Sequence, residues 1–343
     1  MNSPTCPRGH TTTFGTLDMG CRTATSHPAG DAIHVVIVGL GVIGAVHLDV
    51  LCGLPEASVD FVVDPHPVPD TRRRGIAQAA TLRAALDLAP PPDLVVVATP
   101  TDTHLELVAE ALEHTGAQVL SEKPLTREPA QLQAFEFEHV DEIARLRVVN
   151  HFAFSPEIDW AVRLIAAEGW GPPRRVISDF NDPYISKTTE QRASYVSPWV
   201  DSGSNQVSML SRVCRGWVPL RQQVDSEGLR AVTELEYDGG RATLLANWWT
   251  GDSSKQTSLH WPTGVEVRLD HTAMTGFAML GGTVVHHVGH DGSTGRKAAH
   301  YTAMYRALFA GQERDLLGID LARSVAEVLA AGASAGSRIT DGS

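Results

Sequence analysis

Cysteine and positive charge are both scarce in this sequence. Four of its 343 residues are cysteine, no two of them form a C-x-x-C pair, and 28 Lys and Arg stand against 40 Asp and Glu. The lack of paired cysteines argues against a disulfide framework or a zinc site. It predicts a cytoplasmic protein in which Cys52 and Cys214, both in apolar helical patterns, are reduced and buried. The net charge of −12 argues against nucleic acids and anionic membranes as partners.

An uninterrupted membrane-spanning run is also missing. The long apolar stretch from Ile33 to Leu54 contains four glycines, two histidines and one aspartate, so a strand, a turn and a helix explain it better than a membrane span. Residues 1–30 are rich in Thr, Ser, Gly and Pro and lack the apolar region of a signal peptide, which predicts a disordered or loosely attached extension. We expect two domains after it, over residues 31–150 and 151–343.

The residues after the first predicted strand have the pattern of a dinucleotide-binding turn. Ile33–Val38 is predicted to be a buried strand, G-x-G-x-x-G follows, and a helix continues over Ala45–Leu51. In such a turn the first glycine permits a tight bend, the second lets the backbone approach a pyrophosphate, and the third lets the helix pack closely on the strand. The predicted cofactor-binding residues here are Gly39, Gly41, Val42, Ile43 and Gly44.

An aspartate at the end of the next predicted strand bears on the choice of cofactor. "VDFVVD" ends at Asp64, twenty residues after Gly44. A carboxylate there would accept hydrogen bonds from the adenosine ribose and would repel a 2′-phosphate, which favours NAD over NADP. The cluster that follows, Arg72 to Arg74, leaves NADP open as an alternative, although a solvated loop also explains these charges.

Strands and helices continue to alternate through the first half, which predicts a doubly wound parallel sheet. Ligands bind beyond the carboxyl ends of the strands in such a sheet. We therefore expect two further strand ends and one nearby histidine to contribute to the cofactor side of the site. The residues concerned are Thr99, Pro100, His104, Glu122 and Lys123.

After residue 150 the pattern changes to one that predicts antiparallel strands. Turn sequences at Asp238-Gly239-Gly240, at Gly251-Asp252 and at Pro262-Thr263-Gly264 separate short segments that suit one face of an open sheet. The predicted fold class is therefore α/β, with an N-terminal Rossmann domain and a C-terminal α/β domain that carries a large, mostly antiparallel sheet.

Three motifs together resemble one family of oxidoreductases. "GLGVIGAVH", "VVATPTDTH" and "SEKPLT" occur in the order and at the spacing of the Gfo/Idh/MocA oxidoreductases, over roughly residues 33–333. The resemblance implies that Lys123, in the E-K-P motif, lies between the nicotinamide and a substrate hydroxyl. It also implies that the broad second sheet is a subunit interface, and hence a homodimer or homotetramer.

One motif in the second half departs from the family pattern. The family usually has D-x-x-x-H at the head of a helix, whereas this sequence has "DSGSN", with Asp201 and Asn205. The D-galactose and L-arabinose 1-dehydrogenase branch has D-x-G-x-N, and has a histidine reaching toward the sugar at the position of His151. Because an amide exchanges no proton near neutral pH, Asn205 is expected to orient a hydroxyl while the proton passes through Lys123 or Asp201. A plainer alternative is that Asp201 or Ser202 caps the helix and Asn205 is solvated.

For other polar clusters, the sequence gives less support for a catalytic or metal-binding role. The histidines of H-H-V-G-H (286–290) suggest a metal, but they lie in a predicted exposed hairpin without a fixed carboxylate, so no metal is expected. The pair Trp248-Trp249 is expected to cover sheet surface. The polar residues at the strand end 179–182 could either line the substrate pocket or be exposed to solvent.

These features predict an oxidoreductase that moves a hydride between NAD(P) and a sugar or polyol carbon, with oxidation at C1 of an aldose favoured. Lys123 would act as general base, Asp201 would hold the lysine or receive the proton, and Asn205 and His151 would bind the sugar. Two alternatives stay open: a reductase of a keto-sugar or related biosynthetic intermediate, and a non-catalytic dinucleotide or sugar sensor. Lys123 and Asp201 favour an enzyme, and the missing histidine favours a sensor.

Overall fold

A computed structural model gives the fold of most of the chain. The predicted extension over residues 1–30, with Cys6 and Cys21, lies outside the described residues, as do Arg72 and Arg73. The residues that the structure describes are 32–68, 74–88, 90–193, 195–249, 251–312, 314–334 and 336–338.

Short strands rich in valine and leucine form a six-stranded parallel sheet in the order β3-β2-β1-β4-β5-β6. Alternate residues of β1 face different cores, Val35 and Ile37 on one side and Val36 and Val38 on the other. Helices cover both faces, so the predicted doubly wound sheet is confirmed. The elements are β1 (Ile33–Val38), α1 (Val42–Cys52), β2 (Ala57–Val63), β3 (Ala77–Ala79), α2 (Leu82–Leu88), β4 (Leu94–Val97), α3 (His104–His114), β5 (Gln118–Ser121), α4 (Pro129–Glu138) and β6 (Leu146–Val148).

The second sheet has nine strands in the order β14-β13-β12-β11-β7-β10-β9-β8-β15 and is mostly antiparallel, with parallel pairs only at β7–β10 and β8–β15 among the described strands. Burial alternates along β9 and β10, because one face packs on helices. The predicted large open sheet is thus confirmed. Its strands are β7 (Arg175–Asn181), β8 (Val218–Val224), β9 (Arg230–Tyr237), β10 (Gly240–Asn247), β11 (Ser254–His260), β12 (Val265–Asp270), β13 (Thr275–Leu280), β14 (Thr283–Val288) and β15 (Gly336–Arg338).

The last helices of the chain pack against both sheets. Tyr301 and Tyr305 enter the core between α1 and the first sheet, whereas Val328 and Leu329 enter the core of the second sheet. The two halves therefore share packing, and the division at residues 30 and 150 stays a prediction. The helices of the second half are α5 (Pro156–Glu168), α6 (Thr189–Ala193), α7 (Ser204–Leu210), α8 (Arg296–Phe309), α9 (Arg314–Leu317) and α10 (Ile319–Ser334).

One sequence-based expectation about the cysteines is wrong. Cys52, the last residue of α1, is exposed, because Leu48 and Leu51 of that helix are the residues that face the core. Cys214 is buried as predicted, and burial raises the pKa of its thiol to about 12, which makes it a poor nucleophile. Within the described residues, the helices are all too short or too polar to cross a bilayer.

Candidate functional site

The glycine-rich turn has the geometry that a phosphate-binding loop requires. Gly39 has φ +89°, and a Cβ there would lie 2.8 Å from the carbonyl oxygen of Ala98, while a Cβ at Gly44 would overlap the carbonyl oxygen of Gly39. A Cβ at Gly41 would meet nothing within 4 Å, and the neighbouring Val42 is 75% exposed. The first and third glycines are therefore needed by the fold itself, and the second leaves the backbone open to a ligand.

Asp64 lies at the end of β2, next to this turn. Its Oδ2 accepts a hydrogen bond from the backbone N–H of Leu40 (3.0 Å), and its Oδ1 accepts one from His66 (2.9 Å). The carboxylate is half-buried and keeps acceptor positions free for ribose hydroxyls. Arg74, from the alternative NADP-binding cluster, is ion-paired with Asp49 on α1 (2.5 Å). The turn, with Ile43 half-buried behind it, and this carboxylate fit the adenosine and pyrophosphate parts of NAD.

The carboxyl ends of β4 and β5 are joined by a histidine. His104 is 1% exposed, and its ring nitrogens lie 2.8 Å from the carbonyl oxygen of Thr99 and 2.9 Å from that of Pro124. Thr99 is half-buried, and Pro100 is exposed at the edge of the sheet. His104 thus lies behind the cofactor side and holds its two loops together.

Glu122 points inward into a buried polar network. Its Oε1 accepts a hydrogen bond from the Tyr301 hydroxyl (2.6 Å) and lies 3.1 Å from Nε2 of His47, while Oε2 accepts one from the backbone N–H of Lys123 (3.1 Å). Burial alone would raise the pKa of Glu122, but His47, Tyr301 and Lys123 outweigh it and lower that pKa. The ionised carboxylate therefore anchors the residue next to it, Lys123. His47 lies within the "GLGVIGAVH" motif, but Tyr301 carries no local sequence signal.

Lys123, Asp201 and Asn205 converge in front of the first sheet. The Lys123 Nζ donates hydrogen bonds to Asp201 Oδ1 (3.1 Å) and to the Asp201 carbonyl oxygen (3.0 Å), which also accepts one from Asn205 Nδ2 (3.1 Å). Only 14% and 16% of the Lys123 and Asp201 side chains are exposed. A lysine ammonium has three N–H donors, so one stays available to a ligand, as does the Oδ1 acceptor of Asn205.

The backbone that carries Asp201 is a π-helical turn, Trp199–Gly203, continuous with α7. Neither helix start has a side-chain cap, and Asn205 is only 9% exposed, so the plainer alternative of a capped helix with a solvated amide does not describe this site. A Cβ at Gly203 would overlap the Trp199 ring, which fixes the turn by close packing.

The polar end of β7 supports the same turn. Asp182 accepts a hydrogen bond from the Ser202 hydroxyl (2.8 Å) and forms an ion pair with Lys255 (2.6 Å). Both members of the pair are buried, and burial lowers the pKa of Lys255 although the charge of Asp182 opposes this. Asp182 therefore belongs to the site rather than to a solvated strand end.

His151 lies beside Lys123 at the start of the second half. Its ring stacks on Tyr301 with centroids 4.8 Å apart, and its Nδ1 is 3.4 Å from Nδ1 of His300. Burial lowers the pKa of His151 well below its usual range, and the charges of His300 and Lys123 reinforce this. His151 is thus neutral near pH 7, and its Nε2 has no partner within the described part of the chain.

Among the described residues, the remaining candidates form no hydrogen bond or ion pair with Lys123, Asp201 or Asn205. The H-H-V-G-H segment (286–290) is on and just after β14, as predicted, and the described residues contain no cluster suited to a metal ion. Trp248 is buried against Tyr184 with ring centroids 5.4 Å apart, and Trp249 donates its indole N–H to Asp225 (2.8 Å).

Comparison with known proteins supports the cofactor assignment. Residues 33–147 match the family GFO_IDH_MocA, described as an oxidoreductase family with an NAD-binding Rossmann fold. A curated relative, inositol 2-dehydrogenase of Rhizobium meliloti (strain 1021), is 31% identical over 135 residues, which are 39% of this chain and 40% of that protein. The matched region is therefore an NAD-binding Rossmann domain similar to that of this oxidoreductase family, and the match spans well under half the length of that curated relative.

Solved structures extend the likeness to the second sheet. GenD2 from gentamicin A biosynthesis, in complex with NAD, superposes with a TM-score of 0.72 at 22% identity, over 90% of this chain and 95% of that one. KijD10, a 3-ketoreductase from Actinomadura kijaniata in complex with NADP, gives 0.73 at 17% identity, over 90% and 99%. At these identities the likeness shows the shared two-sheet fold.

His300 predicts a specific loss of stability in acid. It is fully buried on α8, and burial lowers its pKa to about 3. Since an unfolded histidine titrates near 6.5, the unfolded chain binds a proton that the folded chain excludes, and the free energy of unfolding falls as pH drops from about 6.5 toward 3. Between pH 7 and pH 5, the free energy of unfolding should fall by roughly 1–2 kcal/mol less in His300→Gln than in the unmodified protein. Urea unfolding at the two pH values measures this difference.

The matched control is His287→Gln, at an exposed histidine of β14. Its free energy of unfolding should fall between pH 7 and pH 5 by as much as that of the unmodified protein. Equal losses in all three proteins would show that His300 does not exclude the proton.

Proposed function

We propose that the whole chain, beyond its matched domain, is an oxidoreductase of this family, and that it transfers a hydride between NAD(P) and a hydroxyl-bearing carbon of a sugar or polyol. The observation that carries the proposal is the Lys123–Asp201 pair, 3.1 Å apart at the carboxyl edge of an NAD-binding sheet. By their names, two of the similar proteins act on substrates of this kind: an inositol 2-dehydrogenase and a UDP-N-acetylglucosamine 3-dehydrogenase.

Oxidation of such a carbon requires its hydroxyl to lose a proton, and a bound nicotinamide would supply the hydride acceptor. The hydroxyl proton moves to Lys123 Nζ as Nζ passes one of its own protons to Asp201 Oδ1, at 3.1 Å. Neutral His151 and the amide of Asn205 would hold neighbouring hydroxyls, since both can donate or accept hydrogen bonds. C1 of an aldose is the carbon we favour, because D-S-G-S-N is similar to the motif of the aldose 1-dehydrogenases.

Reduction of a keto-sugar would use the same proton relay in reverse. The 3-ketoreductase among the similar structures supports this direction as an alternative. An absorbance screen at 340 nm tests both directions, with aldoses and cyclitols offered with NAD⁺ or NADP⁺, and keto-sugars with NADH or NADPH. Turnover of at least one compound is expected. Tight NADH binding without turnover of any compound would favour the non-catalytic sensor.

A homodimer or homotetramer through the second sheet is part of the proposal. Large apolar side chains are exposed on strands near both ends of that sheet, as a subunit interface would require. They are Val218, Leu220, Leu280, Val284 and Val285.

Asp64 predicts the cofactor preference. The unmodified protein is expected to bind NADH more tightly than NADPH, and Asp64→Ala should weaken NADH binding by roughly 10- to 100-fold, since hydrogen bonds to a charged group contribute about 1.5–3 kcal/mol. The difference in affinity between NADH and NADPH should then become smaller or change sign. Fluorescence titration of both cofactors measures it, with Asp87→Ala, an exposed aspartate of α2, as the control.

Tighter binding of NADPH by the unmodified protein would contradict the role of Asp64 and would point instead to the segment Arg72–Arg74.

Asn205 predicts the shape of the pH profile. If it only orients a hydroxyl, Asn205→His should lower kcat/KM, because the imidazole ring differs from the amide in shape and donor geometry, and no new ionisation should appear. Asn205→Ala should lower kcat/KM roughly 5- to 150-fold, as expected for about 1–3 kcal/mol lost with one buried hydrogen bond.

A gain of activity in Asn205→His, with a new limb near pH 6–7, would instead show that the site lacks a proton acceptor.

A further inference from the structure

Two basic residues at the start of α8 lie on the substrate side of the site. Arg296 is half-buried, with its guanidinium 5.1 Å above the Phe152 ring. Lys297 follows it and is more exposed. The charges of both residues act on His151, and those of Glu122, Asp201 and Asp182 act on Lys297. These cations therefore lie within electrostatic reach of the reacting pair, with Arg296 packed against Phe152 next to His151.

Neither cation has an anionic partner among the described residues. Within the described residues, Arg296 and Lys297 form no hydrogen bond and no ion pair, although a guanidinium carries five N–H donors. Burial lowers the pKa of Arg296, which means that water solvates this charge incompletely. Its N–H donors that face away from the protein are therefore available to a ligand.

The nearby carboxylates are already committed. Asp201 pairs with Lys123, Asp182 pairs with Lys255, and Glu157 Oε1 lies 2.7 Å from a ring nitrogen of His271. Glu122 is likewise held by His47 and Tyr301, so these contacts leave Arg296 and Lys297 without a carboxylate of their own among the described residues. Two such cations next to each other, one of them a half-buried arginine, are suited to binding an anion.

We propose that the substrate carries an anionic group, a carboxylate or a phosphate, which Arg296 and Lys297 bind while Lys123 contacts the reacting hydroxyl. The guanidinium fork matches both anions in a bidentate geometry, and Lys297 adds a second point charge. This inference rests on the proposed function, because it names the class of sugar that the same site selects: a sugar acid or a sugar phosphate.

The test compares matched sugars in the 340 nm assay: D-galactose with D-galacturonate and D-galactose 6-phosphate, and the corresponding glucose series. We expect one anionic series to have the higher kcat/KM, and the better series distinguishes carboxylate from phosphate. Arg296→Gln should lower the ratio of anionic to neutral kcat/KM roughly 10- to 1000-fold, Arg296→Lys should lower it less, and Lys297→Gln about 2- to 5-fold. The control is Arg241→Gln, an exposed arginine of β10.

A binding measurement separates the two proposals. Inorganic phosphate is titrated by calorimetry into the protein saturated with NADH, so that the glycine-rich turn is blocked, and binding should be lost in Arg296→Gln. A preference for the neutral sugars, or an unchanged ratio in Arg296→Gln, would overturn the anion site and leave the oxidoreductase proposal standing. Phosphate binding through Arg296 without turnover of any sugar would support the anion site and overturn the oxidoreductase proposal. Neither turnover nor phosphate binding would overturn both.

Discussion

The ion pair between Lys123 and Asp201 joins the end of a strand in the first sheet to a helical turn that packs on the second. Each partner is held from behind. Lys123 follows Glu122, whose carboxylate is fixed by His47 and Tyr301. Asp201 lies in a turn that is fixed by the packing of Gly203 on the Trp199 ring and by the hydrogen bond from the Ser202 hydroxyl to Asp182. Because both charges are largely buried, removing one would leave the other uncompensated, so the pair constrains how the two halves meet.

Much of the first half was predictable because its signals are local. A strand, three glycines and a helix specify their own turn, and the positive φ at Gly39 and the close approach at Gly44 are the reasons for those glycines. Asp64 and Lys123 were predictable for a topological reason, since the carboxyl ends of parallel strands meet at one edge. The antiparallel second sheet followed from its turn sequences.

Other parts of the site depend on contacts between residues far apart in the sequence. Glu122 is 75 residues from His47 and 179 from Tyr301, and no periodicity or motif connects them. The pairing of Asp182 with Lys255 and the position of Arg296 likewise require the folded second half. The error at Cys52 is of another kind: an apolar helix end was expected to be buried on all sides, whereas the phase of α1 turns that residue to solvent.

The central claim is that Lys123 and Asp201 act as one unit in proton transfer, and a double-mutant cycle tests it most directly. Lys123→Met, Asp201→Asn and the double variant are compared by kcat/KM on a substrate from the 340 nm screen, with NADH affinity as the check on folding. Each single variant should lose at least about 10²-fold, and the double variant should lose no more than the worse single one. Losses that multiply in the double variant would show that the two residues act independently and would contradict the relay.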